Sequence, residues 1–207
     1  MEMKIIEKQS YKIVIEDFNN PIIYNGSQLS SQYTANNYDV IGNSILIFRG
    51  GMKLSPDEMI DIKDILRESH LNEILISSDD SIHFIIEEFD TQPPNLEIEY
   101  YRLRILTQIA IEKLEEERIK ANRIGTDIYI DGKKLNVGIA TIGASSGKIH
   151  FGINVGNTGF PSHVNALGLL ETGMQENQIK GWILKIAEQY IEEIHRVKED
   201  IMKTRSI

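Results

Sequence analysis

Cysteine is absent from the 207 residues. That excludes disulfides, thiolate metal sites and cysteine nucleophiles, and it fits a reducing compartment. Positive charge is also scarce: 22 Lys and Arg against 31 Asp and Glu leave a formal net charge of −9. A nucleic-acid binder needs a basic face for the phosphate backbone, so nucleic acid is not an expected partner. The balance leaves room for one local cationic site. No apolar run approaches the roughly 20 residues of a membrane-spanning helix. Met1–Glu7 lacks the apolar core of a secretion signal, so a soluble, cytoplasmic protein with no membrane partner is the expectation. Internal repeats and low-complexity linkers are missing too, and the one marked break is Thr91-Gln92-Pro93-Pro94-Asn95. One domain over residues 1–207 follows, with 41% hydrophobic and 26% charged residues, the balance of an ordinary globular chain.

Tyr11 to Glu16 carries β-branched residues and reads as a strand. Asn25-Gly26 reads as a turn, and Ser27 to Tyr38 as a short helix or a loop. Ser44 to Arg49 is an apolar run, a buried strand ending at Gly50-Gly51. Ser55-Pro56-Asp57-Glu58 has the composition of a helix start, and Met59, Ile62, Ile65 and Leu66 follow at helical spacing. Ile82 to Phe89 fits a strand or a short helix. Leu96 to Lys120 reads as a helix with Leu103, Leu106, Ile109, Ala110 and Leu114 as its buried stripe. Thr126 to Ile130, Lys134 to Thr141 and Lys148 to Val155 read as three consecutive strands of an antiparallel meander, with Asp131-Gly132 as a hairpin turn. Asn177 to Lys203 is a long helix whose seam runs through Ile183, Ala187, Tyr190, Ile194, Val197 and Ile201. That seam belongs either to the core or to a homodimer contact.

The chemistry concentrates between Asn122 and Pro161. A strand carrying Asp127 leads through a tight turn to Lys133-Lys134, so Asp127 and Lys134 can lie close. A lysine ammonium suits an anionic ligand and can stabilise charge developing on a carboxylate or phosphate. The plain alternative is a pair of solvent-exposed lysines. His83, His150 and His163 lack the close spacing of zinc ligands. His150 reads as a packed strand residue or, more sharply, as an acid or base, and His70 and His195 as surface residues. Gly143 to Lys148 is no phosphate loop, because Ile149 follows the lysine and the segment joins two strands. Asp79-Asp80 and Glu87-Glu88 read as solvated surface or a cation site.

Thr126-Asp127-Ile128-Tyr129, then Gly132-Lys133-Lys134-Leu135-Asn136, then Gly152-Ile153-Asn154-Val155 resemble, in order and spacing, the motif region of biotin and lipoate protein ligases over about thirty residues. The chain as a whole resembles a small, mostly archaeal group, the domain-of-unknown-function 366 family. The resemblance implies an α+β fold with a mainly antiparallel sheet flanked by helices. It also implies a small carboxylate ligand (biotin-, lipoate- or fatty-acyl-like), activated by ATP with Mg²⁺ for transfer to an acceptor protein lysine. A non-catalytic cofactor- or metabolite-binding module on the same fold is the alternative. By this likeness Asp127 and Lys134 are the catalytic pair, and Arg123 stands where biotin ligases place a lysine. Arg49 and Gly50 take the place of the arginine-glycine loop over the adenylate. Gly152 and Asn154 lie on the strand behind the ligand, Ser27 and Gln28 fall near its ring end by position, and His150, in the strand beside the motif, is a further substrate-binding candidate. The chain departs from the ligases in three places. The basic loop is only Phe48-Arg49-Gly50-Gly51, the lysine is an arginine at 123, and Val137 stands where a glycine is expected, with Gly138 one residue on.

Overall fold

A computed structural model describes residues 3–54, 58–62, 65–66 and 76–205. Its frame is a six-stranded sheet in the order β1-β2-β3-β4-β9-β8, made of β1 (Lys4–Lys8), β2 (Tyr11–Ile15), β3 (Asn43–Leu54), β4 (Ile76–Glu88), β8 (Asn136–Ile142) and β9 (Gly147–Asn154). Only β2 and β3 pair in parallel; every other neighbour in this sheet is antiparallel. A second sheet holds three short strands, β5 (Asn122–Ile124), β6 (Asp127–Ile130) and β7 (Lys133–Lys134). Among the described residues stand two long helices, α2 (Leu96–Glu116) and α3 (Glu176–Lys203), and a short α1 (Tyr33–Tyr38).

The side-chain period of two divides the large sheet into unlike faces. One face presents Ile45, Ile47, Ile82, Phe84, Ile86, Ile149, Phe151 and Ile153, all buried in one cluster with the apolar stripes of α2 and α3. The other face carries a smaller apolar cluster that includes Val14, Leu46, Phe48 and Ile85. Beside it stand Glu87 and His83 of β4 and Lys148, His150, Gly152 and Asn154 of β9, every one of them buried. This second face floors the cavity described below.

The helix layer is also tied to the sheet by buried charge. Glu88 accepts from Tyr190 at 3.0 Å and from Tyr11, and lies 3.1 Å from Arg102, which also reaches Asp90 at 2.9 Å and Glu99 at 3.3 Å. Such a group is costly to desolvate and tolerable only because the partners are present together. Burial, with Glu88 nearby, pushes the Glu99 carboxyl up to about 8.

Several sequence expectations need correction. β3 does not stop at Gly50-Gly51 but runs on to Leu54, with a register shift between Gly50 and Met52. The glycines allow that bulge: a Cβ on Gly50 would lie 2.1 Å from the Ile22 carbonyl oxygen. The expected three-strand meander is broken, because β6 pairs with β5 and β7 in the small sheet while β8 and β9 join the large one. Ile82 to Glu88 falls within strand β4, which stops before Phe89, and α2 ends at Glu116. Glu87 and Glu88 are 3% and 1% exposed, not solvated surface. The α3 seam is buried as far as Ile194, while Val197 and Ile201 stand exposed. The helix start at Ser55-Pro56-Asp57 and His70 lie outside the described residues.

Candidate functional site

A cavity of about 1090 Å³ opens over the second face of the sheet, at the upper end of the roughly 300–1000 Å³ typical of small-molecule sites. Its floor is β9, where Lys148, His150 and Asn154 succeed one another on one face and all line the space. One wall is the turn and strand from Gly125 to Asp127, with Lys134 beside them; another is the segment 160–166.

Asp127 and Lys134 meet because of strand register. Lys134 pairs with Tyr129, so Asp127 is its diagonal neighbour on the same face, within reach of a long side chain. Lys134 Nζ lies 3.0 Å from Asp127 Oδ1, and both side chains are 28% exposed, half-sunk in the cavity wall. Two further links fix this corner. Asn136, fully buried, accepts from Ile128 N at 2.6 Å and donates to Thr126 O at 3.0 Å. The Lys134 backbone zips to the 160s segment through Lys134 N to Asn165 O at 2.8 Å and Leu167 N to Lys134 O at 3.1 Å. The lysine is therefore held from three sides, and Asp127 is its Nζ partner among the described residues, which leaves two of three N–H donors for a ligand.

Midway along the floor two histidines meet. His83 Nδ1 is 3.0 Å from His150 Nε2, and His83 Nε2 is 3.3 Å from Gly50 O. Burial pushes His83 down to about 4 and holds His150 well below its ordinary value, lowered further by His83, so both rings are neutral at pH 7. A carbonyl only accepts, which places the His83 proton on Nε2. His83 Nδ1 then accepts from His150 Nε2–H, and His150 Nδ1 is left as an acceptor. Tyr24 stacks on His150 with centroids 3.7 Å apart and planes at 16°, while Phe48 stacks on His83 at 4.8 Å.

Of the residues singled out from sequence, the structure brings Asp127, Lys134, His150, Asn154 and Ser27 onto this one cavity. The others lie elsewhere, each for a physical reason. Arg49 shares the helix face with Ile45 and Ile47, because alternation points its neighbour Phe48 to the cavity side. Its guanidinium grips Asp80 at 2.7 and 2.8 Å and also pairs with Glu176 of α3. Gly50 packs against Ile22. Arg123 is exposed on β5 and donates to Gly125 O at 2.9 Å. Gln28 is buried and holds its own turn through Ile23 O and Asn25 N. The space above Gly152 is occupied by Val137 and the His150 ring, 3.1 and 3.2 Å from where a Cβ would stand.

Sequence reasoning missed Arg104, Tyr100 and Lys148, all of which line the cavity. Arg104 and Tyr100 sit four apart on one face of α2, a spacing that any helix offers. Among the described residues, the cavity lining carries three cations (Lys134, Lys148, Arg104) and three carboxylates (Glu58, Asp61, Asp127). In a chain of net charge −9 this is a locally neutral patch. Among the described residues, no group of three or more His, Asp or Glu is placed to hold a metal ion, and no helix is long and apolar enough to cross a membrane.

The model of the Domain of unknown function (DUF366) family matches residues 13–205. The chain belongs to this family. The DUF366 protein is 38% identical over 181 residues to the uncharacterized protein MJ0805 of Methanocaldococcus jannaschii, covering 87% of this chain and 79% of that one. It is similar to a solved protein of unknown function from Pyrococcus horikoshi, with a TM-score of 0.83 and 32% identity over 96% of this chain and 100% of the other. Its fold is that of the biotin and lipoate ligases. A biotin protein ligase from Aquifex aeolicus, solved in complex with biotin and ATP, aligns with a TM-score of 0.55 and 18% identity over 88% of this chain and 73% of that one. The T. acidophilum protein Ta0514, a lipoate protein ligase candidate with bound lipoic acid, aligns with a TM-score of 0.51 and 9% identity over 84% and 86%.

Proposed function

We propose that the cavity binds a small carboxylate, with Lys134 as its counter-ion and Asp127 as the group that orients the ammonium. The observation that carries this reading is the Lys134–Asp127 contact at 3.0 Å on the wall of a cavity of about 1090 Å³. A carboxylate entering there meets two unused N–H donors on a lysine already aimed by its partner. Arg104, which makes no ion pair with any described residue, adds the positive charge that a neutral lysine–aspartate pair lacks. Asn154 and the acceptor on His150 offer neutral hydrogen-bonding positions along the floor.

A second reading adds chemistry, and the cavity volume favours it, since an acid of eight carbons leaves much of that space unfilled. The carboxylate oxygen attacks the α-phosphorus of ATP and pyrophosphate leaves with the bond's electron pair. An acceptor-protein lysine amine then attacks the acyl carbon, AMP departs, and the amine loses a proton. Lys134 and Arg104 are the groups placed to neutralise charge on the phosphate. Mg²⁺ in such a reaction is held mainly by the phosphates, so a dedicated protein cage is not required. Arg49, engaged by Asp80 and Glu176, supplies nothing to this site.

Titration calorimetry with biotin, lipoate and octanoate tests the first reading, and pyrophosphate exchange with ATP tests the second. Binding of at least one acid, weakened at least tenfold by Lys134→Ala, is expected. Binding unchanged by Lys134→Ala removes the lysine from the site. Binding without exchange makes the protein a carboxylate-binding module.

A further inference from the structure

The floor strand ends in a second cation that the carboxylate reading does not use. Lys148 pairs across the sheet with Glu87, its side chain is only 3% exposed, and it lines the same cavity as Lys134. Among the described residues its Nζ has one hydrogen-bond partner, Ser31 Oγ at 3.3 Å. Glu87 is 3.9 Å away, beyond hydrogen-bond reach. That carboxylate is already engaged: Oε1 accepts from Gln32 N at 2.9 Å and from Ser146 Oγ at 2.7 Å. An ammonium carries three donors, so a buried one with a single long bond is under-satisfied, and such a group is expensive unless something else accepts from it. The neighbouring backbone leaves room for it. A Cβ at Gly143 would stand 2.6 Å from Lys148 Nζ and 2.8 Å from Ser31 Oγ. The φ of Gly143 lies outside the left-handed region, so it is this open space, and not backbone strain, that an alanine there would remove.

Six residues of extended strand separate Lys148 from Asn154, which lies beside Lys134, a span of about 20 Å. Lys148 Nζ lies beside Gly143 at the β8–β9 turn, the end of the strand away from Asn154, so the Lys148 side chain does not shorten that span. The two positive ends stand a long acyl chain apart, with the His150 acceptor between them.

We propose that the ligand is polar at both ends: a carboxylate at Lys134 and a second oxygen acceptor, a carbonyl or another carboxylate, at the Lys148–Ser31–Gly143 end. The inference rests on the carboxylate reading above and narrows it. A plain alkyl tail buried against Lys148 would leave the ammonium with Ser31 Oγ alone, whereas a distal oxygen supplies a second acceptor. The same geometry ranks acids that carry a carbonyl far from the carboxylate above simple fatty acids.

The test is calorimetry on the full chain with three matched series from octanoate to hexadecanoate: the monoacids, the α,ω-diacids and the diacid monoamides. At the optimal length, at least one of the two bifunctional series is expected to bind tenfold or more tightly than the monoacid. A diacid advantage over the monoamide identifies an anion as the second group, and parity identifies a carbonyl; both support the proposal. Lys148→Met is expected to erase the preference. Gly143→Ala, which crowds the ammonium without removing it, reduces the preference and serves where the lysine variant does not fold. Monoacids that bind as well as their bifunctional counterparts overturn the second polar end and leave the carboxylate reading intact. So does a preference that survives Lys148→Met. Failure of all three series to bind overturns both.

Discussion

Acidification is expected to destabilise this protein through the stacked histidines beneath the cavity, and the effect can be isolated. His83 is fully buried and pushed from 6.5 down to about 4 by desolvation. Its neutral form is therefore favoured on folding. Between pH 6.5 and 4 the unfolded chain binds the proton and the folded chain does not, so stability is fully present above 6.5 and is lost as pH falls through that window. At about 1.4 kcal/mol per tenfold change in proton affinity, His83 alone contributes about 3 kcal/mol, a large part of the roughly 5–15 kcal/mol that holds a domain folded. His150 acts in the same direction, lowered by burial and by His83. Glu99 works against them. Raised from 4.5 to about 8, it binds its proton more readily in the folded state, so it adds stability as pH falls from 8 towards 4.5. The raw pH profile mixes the two signs, and the informative quantity is a difference. The double variant His83→Phe/His150→Phe removes both polar partners and keeps ring packing against Tyr24 and Phe48, an exchange that can be nearly neutral. Reversible urea unfolding at pH 8, 6.5, 5 and 4 is expected to show the double variant within about 1 kcal/mol of wild type at pH 8. By pH 4 it should be more stable than wild type by about 3 kcal/mol or more. Parallel curves for the two proteins from pH 8 to 4 would refute the reasoning.

Three further outcomes are expected. Arg49→Ala cuts the tie between β3, β4 and the start of α3 and costs about 2 kcal/mol in a denaturant midpoint, with no change in carboxylate affinity by calorimetry; a loss of affinity would return Arg49 to the site. Arg102→Met strips Glu88 of its cation in the helix–sheet interface and costs about 3–5 kcal/mol at pH 8, with a smaller loss at pH 5, where the carboxyls can protonate; an equal loss at both values would show that charge is not the cause. Gly50→Ala forces a methyl onto the Ile22 carbonyl and lowers the melting midpoint by the equivalent of about 1–3 kcal/mol or more; an unchanged midpoint would mean that the bulge is not tight.

The parts of the fold visible in the sequence were those with a long period or a strong local signal. The Leu96 helix shows its stripe and the Asn95 side chain caps it, accepting from Glu97 N and Ile98 N. The Asp127–Lys134 corner was visible as well, because the Asp131-Gly132 turn brings residues five and seven apart into one short hairpin, whose contacts are local. What stayed hidden depends on which sheet a strand joins. Nothing near Leu135 announces that the chain leaves the small sheet there and enters the large one. Lys148 looked like the end of a failed phosphate motif and Glu87 like surface charge. Their meaning comes from register against each other, a pairing of residues 61 positions apart. Arg49 was misplaced for the complementary reason: a motif likeness fixes a residue's order along the chain, but alternation decides which face it serves.

In β9, Ile149, Phe151 and Ile153 are anchored in the helix-side core while Lys148, His150 and Asn154, alternating with them, furnish the cavity. The strand behaves like a keyboard whose keys are bolted from below: no contact residue on it can be moved along or turned over without dragging an aromatic or branched neighbour out of its seat. Drift towards a new ligand in this family is therefore expected to rewrite side chains in place on the floor and to reshape the chamber only through its sides, the 160s segment and the turn before Asp127.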